Sequence, residues 1–343
     1  MRDARPLLTI TIPTYNRHAC LEELLTVLAP QLAGESRVEL IISDNASQDA
    51  TPQVVEAFQR RGVELTYLRN ETNIGPDANF IRCYQAAQGE YVWIFGDDDI
   101  IVPGGLRVLL GHLETRRYDL LYLKTFAFRD RHELKEAFHF SGKLKEFASP
   151  RDFALYVSTG FTFISANISR KAAFQDLPLQ EFEKLIGSNL GQLAWTFSLL
   201  RGNPRCVCVL DAFVAGRTDN SGGIGTCKVF GTTLQAIVND YFGAQSPVGR
   251  AILNRTVQFF FPWAMLHSRR SRGKRYLQED ALSVLDQLYR DNPRYWFFLY
   301  PVLRLPIPLA AMWVLIGKVI NRVDQTLGFP VARGMKSDRQ YST

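Results

Sequence analysis

Three consecutive carboxylates, Asp97, Asp98 and Asp99, are the residues of this sequence that most need a chemical account. Like charges this close repel, so a folded chain keeps them together where water solvates them or a cation compensates them. Hard oxygen ligands suit Mg²⁺ or Mn²⁺, which keep several waters and take further oxygens from a substrate diphosphate. The chemistry that follows is Lewis-acid stabilisation of a phosphate leaving group. An acidic turn standing in solvent is the competing reading.

The elements that must position these residues are legible as a pattern. The first 125 or so residues alternate short apolar runs with amphipathic stretches, which predicts a mostly parallel α/β sheet covered by helices. Strands are expected at 7–12, 38–43, 64–69, 91–95 and 120–126. Helices are expected at 17–32, with its apolar stripe at Leu21, Leu24, Leu25 and Leu28, and at about 50–61, 76–88 and 105–116. Ser47 or Asp49 would cap the second helix, and Pro76 fits the first turn of the third. Further along, a helix at 189–200 and two short strands at 206–210 and 213–217 lead into a Gly-rich loop at 219–225. The last 90 or so residues read as mostly helical.

In an open parallel sheet, ligands collect beyond the carboxyl ends of the strands. The first strand ends in Pro13-Thr14-Tyr15-Asn16, the second in Asp44-Asn45-Ala46-Ser47, and the aspartates follow the fourth. A dinucleotide-binding enzyme needs Gly-x-Gly-x-x-Gly after its first strand, and a phosphate-loop enzyme needs a Gly-rich loop ending in Lys-Ser or Lys-Thr. The sequence contains neither.

At 343 residues, 46% hydrophobic and 22% charged, the chain is long enough for a large core and a second lobe. Its formal charge of +6 is uneven, with seven basic residues and no acidic one from Arg250 to Tyr276. Five scattered cysteines, without a zinc spacing or a leader ahead of them, predict reduced thiols in a cytoplasmic protein, with Cys206 and Cys208 as packing residues. The apolar stretch 295–319 is broken by Arg304, Pro301, Pro306 and Pro308, so a simple spanning helix is not expected, and a segment lying on or dipping into a membrane is the alternative. Phe259 to Trp263, followed by the basic run 269–275, suits the anionic inner face of a membrane, with core aromatics beside a solvated loop as the alternative. No nucleic-acid recognition fold accompanies the basic run, so nucleic acid is not expected as a partner.

Four ordered motifs resemble family 2 nucleotide-sugar glycosyltransferases of the GT-A fold. They are Ile10-Thr-Ile-Pro-Thr-Tyr-Asn-Arg17, Leu40-Ile-Ile-Ser-Asp-Asn-Ala-Ser47, Arg69-Asn-Glu-Thr-Asn-Ile-Gly75 and Trp93-Ile-Phe-Gly-Asp-Asp-Asp-Ile100 with Pro103 following. The resemblance implies that the strand ends holding Pro13, Thr14, Asn16, Asp44 and Asn45 bind the nucleoside, with the Asp44 carboxylate accepting from uracil or cytosine. An Asx turn is the structural alternative for Asp44. Asn73 and Gly75 precede a helix start whose free N–H groups favour donor phosphates. The family usually writes its metal motif Asp-x-Asp-Asp, and here Gly96 stands in the first place. Asp98 then becomes the principal metal ligand, Asp97 a ribose or metal contact, and Asp99 a supporting group. The shortened motif is similar to that of dideoxyhexose transferases such as the abequosyltransferases.

The same resemblance implies inversion in one displacement, with a carboxylate taking the proton of the acceptor hydroxyl. Its usual acidic pair falls here on Ile186-Gly187-Ser188-Asn189-Leu190, which contains no acid. Glu183, then Glu181, are the nearest candidates, with Asp219 further off; solvated surface charge is the alternative for both glutamates. Arg217 would neutralise diphosphate charge, and Trp195 is either a sugar platform or core. The expected organisation is a catalytic domain over 1–225, its nucleotide-sugar half being 1–110 and its acceptor half 111–225, and a helical, membrane-associating extension over 226–343. The expected activity is transfer from a UDP-, CDP- or similar sugar to a hydroxyl of a glycan or polyprenyl-linked acceptor in surface polysaccharide synthesis, O-antigen included, by a peripheral protein on the inner face of the membrane. A non-catalytic binding partner of the same fold and a sugar-phosphate nucleotidyltransferase are the rivals.

Overall fold

The computed structural model describes residues 5–327, apart from 116, 130–133, 135–137, 175, 219–224 and 271–278. Strand β1 (Leu8–Thr14) is buried along its whole length, because it lies between two parallel neighbours and under helices on both faces. Helix α1 (His18–Leu32) turns Leu21, Leu24, Leu25 and Leu28 onto the sheet. Then come β2 (Val38–Asp44), α2 (Thr51–Arg60), β3 (Thr66–Arg69), α3 (Pro76–Ala86) and β4 (Tyr91–Ile94). These strands lie in the order β3-β2-β1-β4, all parallel, so their carboxyl ends share one edge. The expectation of a mostly parallel α/β sheet holds here.

Past the aspartates the sheet becomes mixed. The short β5 (Ile100–Ile101), α4 (Gly105–Thr115) and β6 (Leu120–Phe128) are followed by β7 (Leu144–Glu146), α5 (Pro150–Val157) and β8 (Asn167–Arg170). Strand β8 runs antiparallel between β4 and β6, a position the sequence pattern did not predict. Trp93 is wholly buried and its indole donates to the Ser165 carbonyl at 2.9 Å, which ties the segment before β8 to β4. Helices α6 (Leu179–Glu183) and α7 (Leu193–Arg201) precede β9 (Cys206–Arg217), which completes the order β4-β8-β6-β9-β5.

Two sequence expectations are corrected here. The strands expected at 206–210 and 213–217 are one strand, with a bulge where Leu123 pairs Val209 and Lys124 pairs Ala212. Beside the bulge the buried Asp211 accepts from Ser141 N at 2.8 Å, Ser141 Oγ at 2.7 Å and Gly142 N at 2.7 Å, so a charged residue inside a strand has partners on both oxygens. The helix expected from residue 189 begins at Leu193, because residues 187–191 are wound around a carboxylate described below.

The rest is helical, as expected: α8 (Leu234–Phe242), α9 (Pro247–Arg255), α10 (Phe261–Arg270), α11 (Ala281–Tyr289), α12 (Tyr300–Arg304) and α13 (Ile307–Leu327). Residues of α8 and α9 share a hydrophobic core with α3, α5 and α7, while α10 to α13 build a separate one around Phe261, Tyr295 and Leu299. All five cysteines are free, and four are buried. Among the described residues no helix is long and apolar enough to cross a membrane.

Candidate active site

Register alone brings the first pieces together. Thr14 pairs Asp44 across β1 and β2, and Thr11 pairs Ile94 across β1 and β4, so three strand ends open onto one rim. The turns beyond them hold Asn16 and Ala46 at φ 52 and 65, conformations that non-glycine residues adopt rarely and that concentrate where side chains are aimed at a site. The Asn16 carbonyl oxygen of the side chain accepts from Gln48 N at 2.7 Å, and its own N–H donates to Ser47 Oγ at 2.9 Å, which locks the two turns to each other.

The aspartates sit on the turn after β4, each with its own partners. Asp97, 3% exposed, accepts from Thr14 Oγ1 at 2.7 Å on one oxygen and from Arg17 Nη1 at 2.7 Å on the other. Arg17 Nη2 reaches Asp98 at 3.0 Å, so one guanidinium bridges two carboxylates. Asp99, 4% exposed, accepts from Ser165 Oγ at 2.5 Å and Arg217 N at 3.0 Å. Burial pushes the Asp97 carboxyl up to about 7 against the pull of Arg17, and burial together with the Asp98 charge pushes Asp99 up to about 7.

This arrangement refines the expectation of a metal cluster. Among the described residues no three His, Cys, Asp or Glu side chains converge on one point, because Asp97 and Asp99 have both oxygens committed to other groups. Asp98 is the most open of the three, with 16% of its side chain exposed. Gly96, in the place of the usual first aspartate, is closely packed. A Cβ there would lie 3.0 Å from Asp99 Oδ2, 3.2 Å from Ser165 Oγ and 3.3 Å from Asp98 Oδ1. The donor set therefore fits a hard cation only as one oxygen ligand from the protein, the remainder coming from a diphosphate and water.

Arg217 does reach the cluster. Its Nε donates to the Asp98 carbonyl at 3.1 Å, its Nη1 to the Arg129 carbonyl at 3.0 Å, and its Nη2 pairs with Glu23 of α1. Asp44 is wholly buried: Ser47 N, three residues on, donates to it at 2.8 Å and Tyr67 Oη at 2.6 Å, so Tyr67 lies over the carboxylate. Pro13 is buried inside β1. Asn45 ties loops together, accepting from Ile74 N at 2.9 Å and Asn70 Nδ2 at 2.8 Å and donating to Asn73 Oδ1 at 2.8 Å. Gly75, at φ 85, leads directly into α3.

The segment 186–190, where no acid stands, receives one from α3. Asp77, 2% exposed, accepts from Gly187 N at 2.8 Å, Asn189 N at 3.0 Å and Gly191 N at 2.9 Å. Glu183 is exposed at the end of α6 and Glu181, two residues before it, is half-buried. Asp219 lies outside the described residues. Trp195 is 5% exposed and stacks on Tyr84 at 5.8 Å, which corrects the sugar-platform alternative: it is core. Sequence reading assigned no role to Arg17, Glu23, Ser165 or Asp77. Only Arg17 carried a signal, as the last residue of the first motif.

Residues 9–177 match the family model described as glycosyl transferase family 2. This stretch is a family 2 glycosyltransferase domain. The glycosyltransferase domain contains the whole aspartate cluster, its Arg17 bridge and Ser165. Among curated relatives, abequosyltransferase RfbV of Salmonella typhimurium is 39% identical over 111 residues, 32% of this chain and 33% of that protein. A GalNAc(5)-diNAcBac-PP-undecaprenol beta-1,3-glucosyltransferase of Campylobacter jejuni is 32% identical over 106 residues, 31% of this chain and 34% of that protein. The aligned stretches thus span about a third of these relatives. Among solved structures, S. aureus TarS 1–349 in complex with UDP covers 98% of this chain and 96% of its own at a TM-score of 0.58 and 18% identity, a likeness of fold. The same protein in complex with UDP-GlcNAc covers 94% and 92% at 0.58 and 19%.

Proposed function

We propose that this chain transfers a sugar from a nucleoside-diphosphate sugar to a hydroxyl of a glycan or lipid-linked acceptor, with inversion, in the synthesis of a cell-surface polysaccharide. The observation that carries this reading is the meeting of Thr14, Arg17, Asp97 and Asp98 at the carboxyl ends of adjacent parallel strands. The names of the Salmonella and Campylobacter relatives support a surface glycan and a lipid-linked acceptor.

In this mechanism the nucleobase displaces the Tyr67 hydroxyl from Asp44, whose carboxylate then accepts its N–H. The diphosphate lies at the positive end of the α3 dipole, after Asn73 and Gly75. Asp98 would hold Mg²⁺ or Mn²⁺, which would supply Lewis-acid stabilisation to the leaving diphosphate. Asp97, held by Thr14, accepts from the ribose, and Asp99 keeps the turn in shape through Ser165 and Arg217 N. Arg17 neutralises the carboxylates in the free protein, and Arg217 adds positive charge beside the diphosphate. Glu183 takes the proton of the acceptor hydroxyl as its oxygen attacks the anomeric carbon and the bond to diphosphate breaks; Glu181 is the reserve candidate.

A thermal-shift panel of UDP-, CDP-, GDP- and dTDP-sugars with and without Mn²⁺, followed by release of nucleoside diphosphate, tests this. The reading is lost if no donor stabilises the protein or is turned over. The absence of an acid from 186–190 favours one rival, a binding protein without turnover; loss of transfer in Glu183→Gln with donor binding intact rejects it.

A further inference from the structure

Helix α13 carries two apolar faces, and only one is covered. Ala310 and Val314 are buried, and a Cβ at Gly317 would meet the Phe298 ring at 3.5 Å, so this side packs onto the helical turn Tyr295–Leu299. On the other side Leu309, Met312, Leu315, Ile316 and Val319 are 45%, 53%, 61%, 39% and 62% exposed. At about 100° per residue these five fall within an arc of roughly 120°, and no charge interrupts them. Trp296 and Phe297, also exposed, continue the surface. Trp313 Nε1 donates to the Phe297 carbonyl at 2.7 Å and the two rings lie 5.6 Å apart, which joins the turn and the helix into one patch. A contiguous apolar patch of this kind marks an interaction surface.

Charge decides what it faces. From Arg294 to Ile320 the chain holds three basic residues, Arg294, Arg304 and Lys318, and no acidic one; Arg304 and Lys318 are exposed. A second copy of the chain docked by a twofold would bring this acid-free stretch, with Arg304 and Lys318 exposed, against itself. Anionic headgroups complement it, and an exposed Trp and Phe beside an apolar stripe suit the boundary between headgroups and acyl chains. Because no described helix is long and apolar enough to cross, such a helix lies in the plane of the interface.

We infer that the outer face of α13, with Trp296 and Phe297, seats the protein on an anionic lipid membrane. The seat lies within the extension expected to associate with a membrane, on its 295–319 stretch rather than on Phe259 to Trp263 and the basic run, of which Trp263 is exposed. Phe260 and Phe261 pack inside the C-terminal core, Arg269 donates to the carbonyls of Val302 and Leu305, and residues 271–275 lie outside those described. The inference stands apart from the sugar-transfer reading, because vesicle binding is measured without donor or acceptor.

The test is co-sedimentation of the full chain with phosphatidylcholine vesicles, with and without phosphatidylglycerol, alongside size-exclusion light scattering. The wild type should pellet with the anionic vesicles, and Leu315→Glu with Val319→Glu should lower that partitioning at least about tenfold at unchanged thermal midpoint. Lys318→Glu, which leaves the apolar stripe intact, should weaken binding to anionic vesicles at low salt. The inference is overturned by a wild type that stays in the supernatant, by a double variant that binds as well as wild type, or by a dimer that the double variant converts to monomer.

Discussion

Ser165 donates to Asp99 at 2.5 Å while its oxygen accepts from Gly96 N at 2.8 Å, so a residue 66 positions away holds the aspartate turn from beneath. Replacing it leaves a buried carboxylate oxygen and a backbone N–H short of a partner, which costs ~1–3 kcal/mol. Ser165→Ala should lose stability of that order in urea denaturation. An unchanged midpoint would show that the turn stands by itself.

Gly96 tests whether the shortened aspartate motif is a packing requirement. With two carboxylate oxygens and a hydroxyl within 3.0 to 3.3 Å of the new Cβ, Gly96→Ala should cost ~1–3 kcal/mol through overpacking. Gly96→Asp, which restores the usual family spelling, adds like-charge repulsion and should be worse in the same assay. A Gly96→Asp protein as stable as wild type would remove the steric account.

The buried pair Asp97 and Asp99 makes a pH-dependent contribution with a definite sign. Both folded values, about 7, lie above the unfolded value of ~3.9, so between roughly pH 4 and 7 the folded state binds more protons than the unfolded one. Their contribution to stability therefore falls as pH rises across that window and is lost above about 7. Deprotonation of these two carboxyls adds negative charge beside Asp98, so the thermal shift given by Mn²⁺ should grow from pH 5.5 to 8. Scanning calorimetry with and without Mn²⁺ at the two pH values checks both statements, and Asp97→Asn should flatten the metal-free profile.

Asp98 is the group whose loss should separate chemistry from folding. With 16% of the side chain exposed, Asp98→Asn should fold within a few degrees of wild type yet lose about a hundredfold or more in nucleoside diphosphate release. Turnover near the wild-type rate would move the cation, or the need for one, elsewhere.

Asp77→Asn should loosen the loop that faces the acceptor side in the proposed reaction. An amide offers one acceptor oxygen where the carboxylate offers two, so one of the three N–H groups must face an NH₂. The expected loss is ~2–4 kcal/mol, with faster amide exchange at Gly187, Asn189 and Gly191. Unchanged protection at these amides would contradict the geometry.

The parallel half of the sheet and its rim were readable in the chain because each piece is local. Buried strands such as β1 are continuous apolar runs, α1 shows its stripe at helical spacing, and polar residues at strand ends interrupt both. Short right-handed crossovers leave such elements little choice of arrangement, so Thr14, Asp44 and Asp97 were placed on one edge from their order alone. The antiparallel insertion of β8, the bulge at Asp211 and the partners of the aspartates were not readable. Ser165 reaches Asp99, and Asp77 reaches Gly191 across 114 positions, by contacts that leave no period and no spacing in the letters. Amino-acid order by itself determined which residues stand at the rim; which partners each carboxylate takes, with Asp97 held by Thr14 and Arg17, Asp44 covered by Tyr67 and Asp98 most exposed of the three aspartates, was decided only when distant segments packed, because a polar group's partners follow from space rather than from sequence.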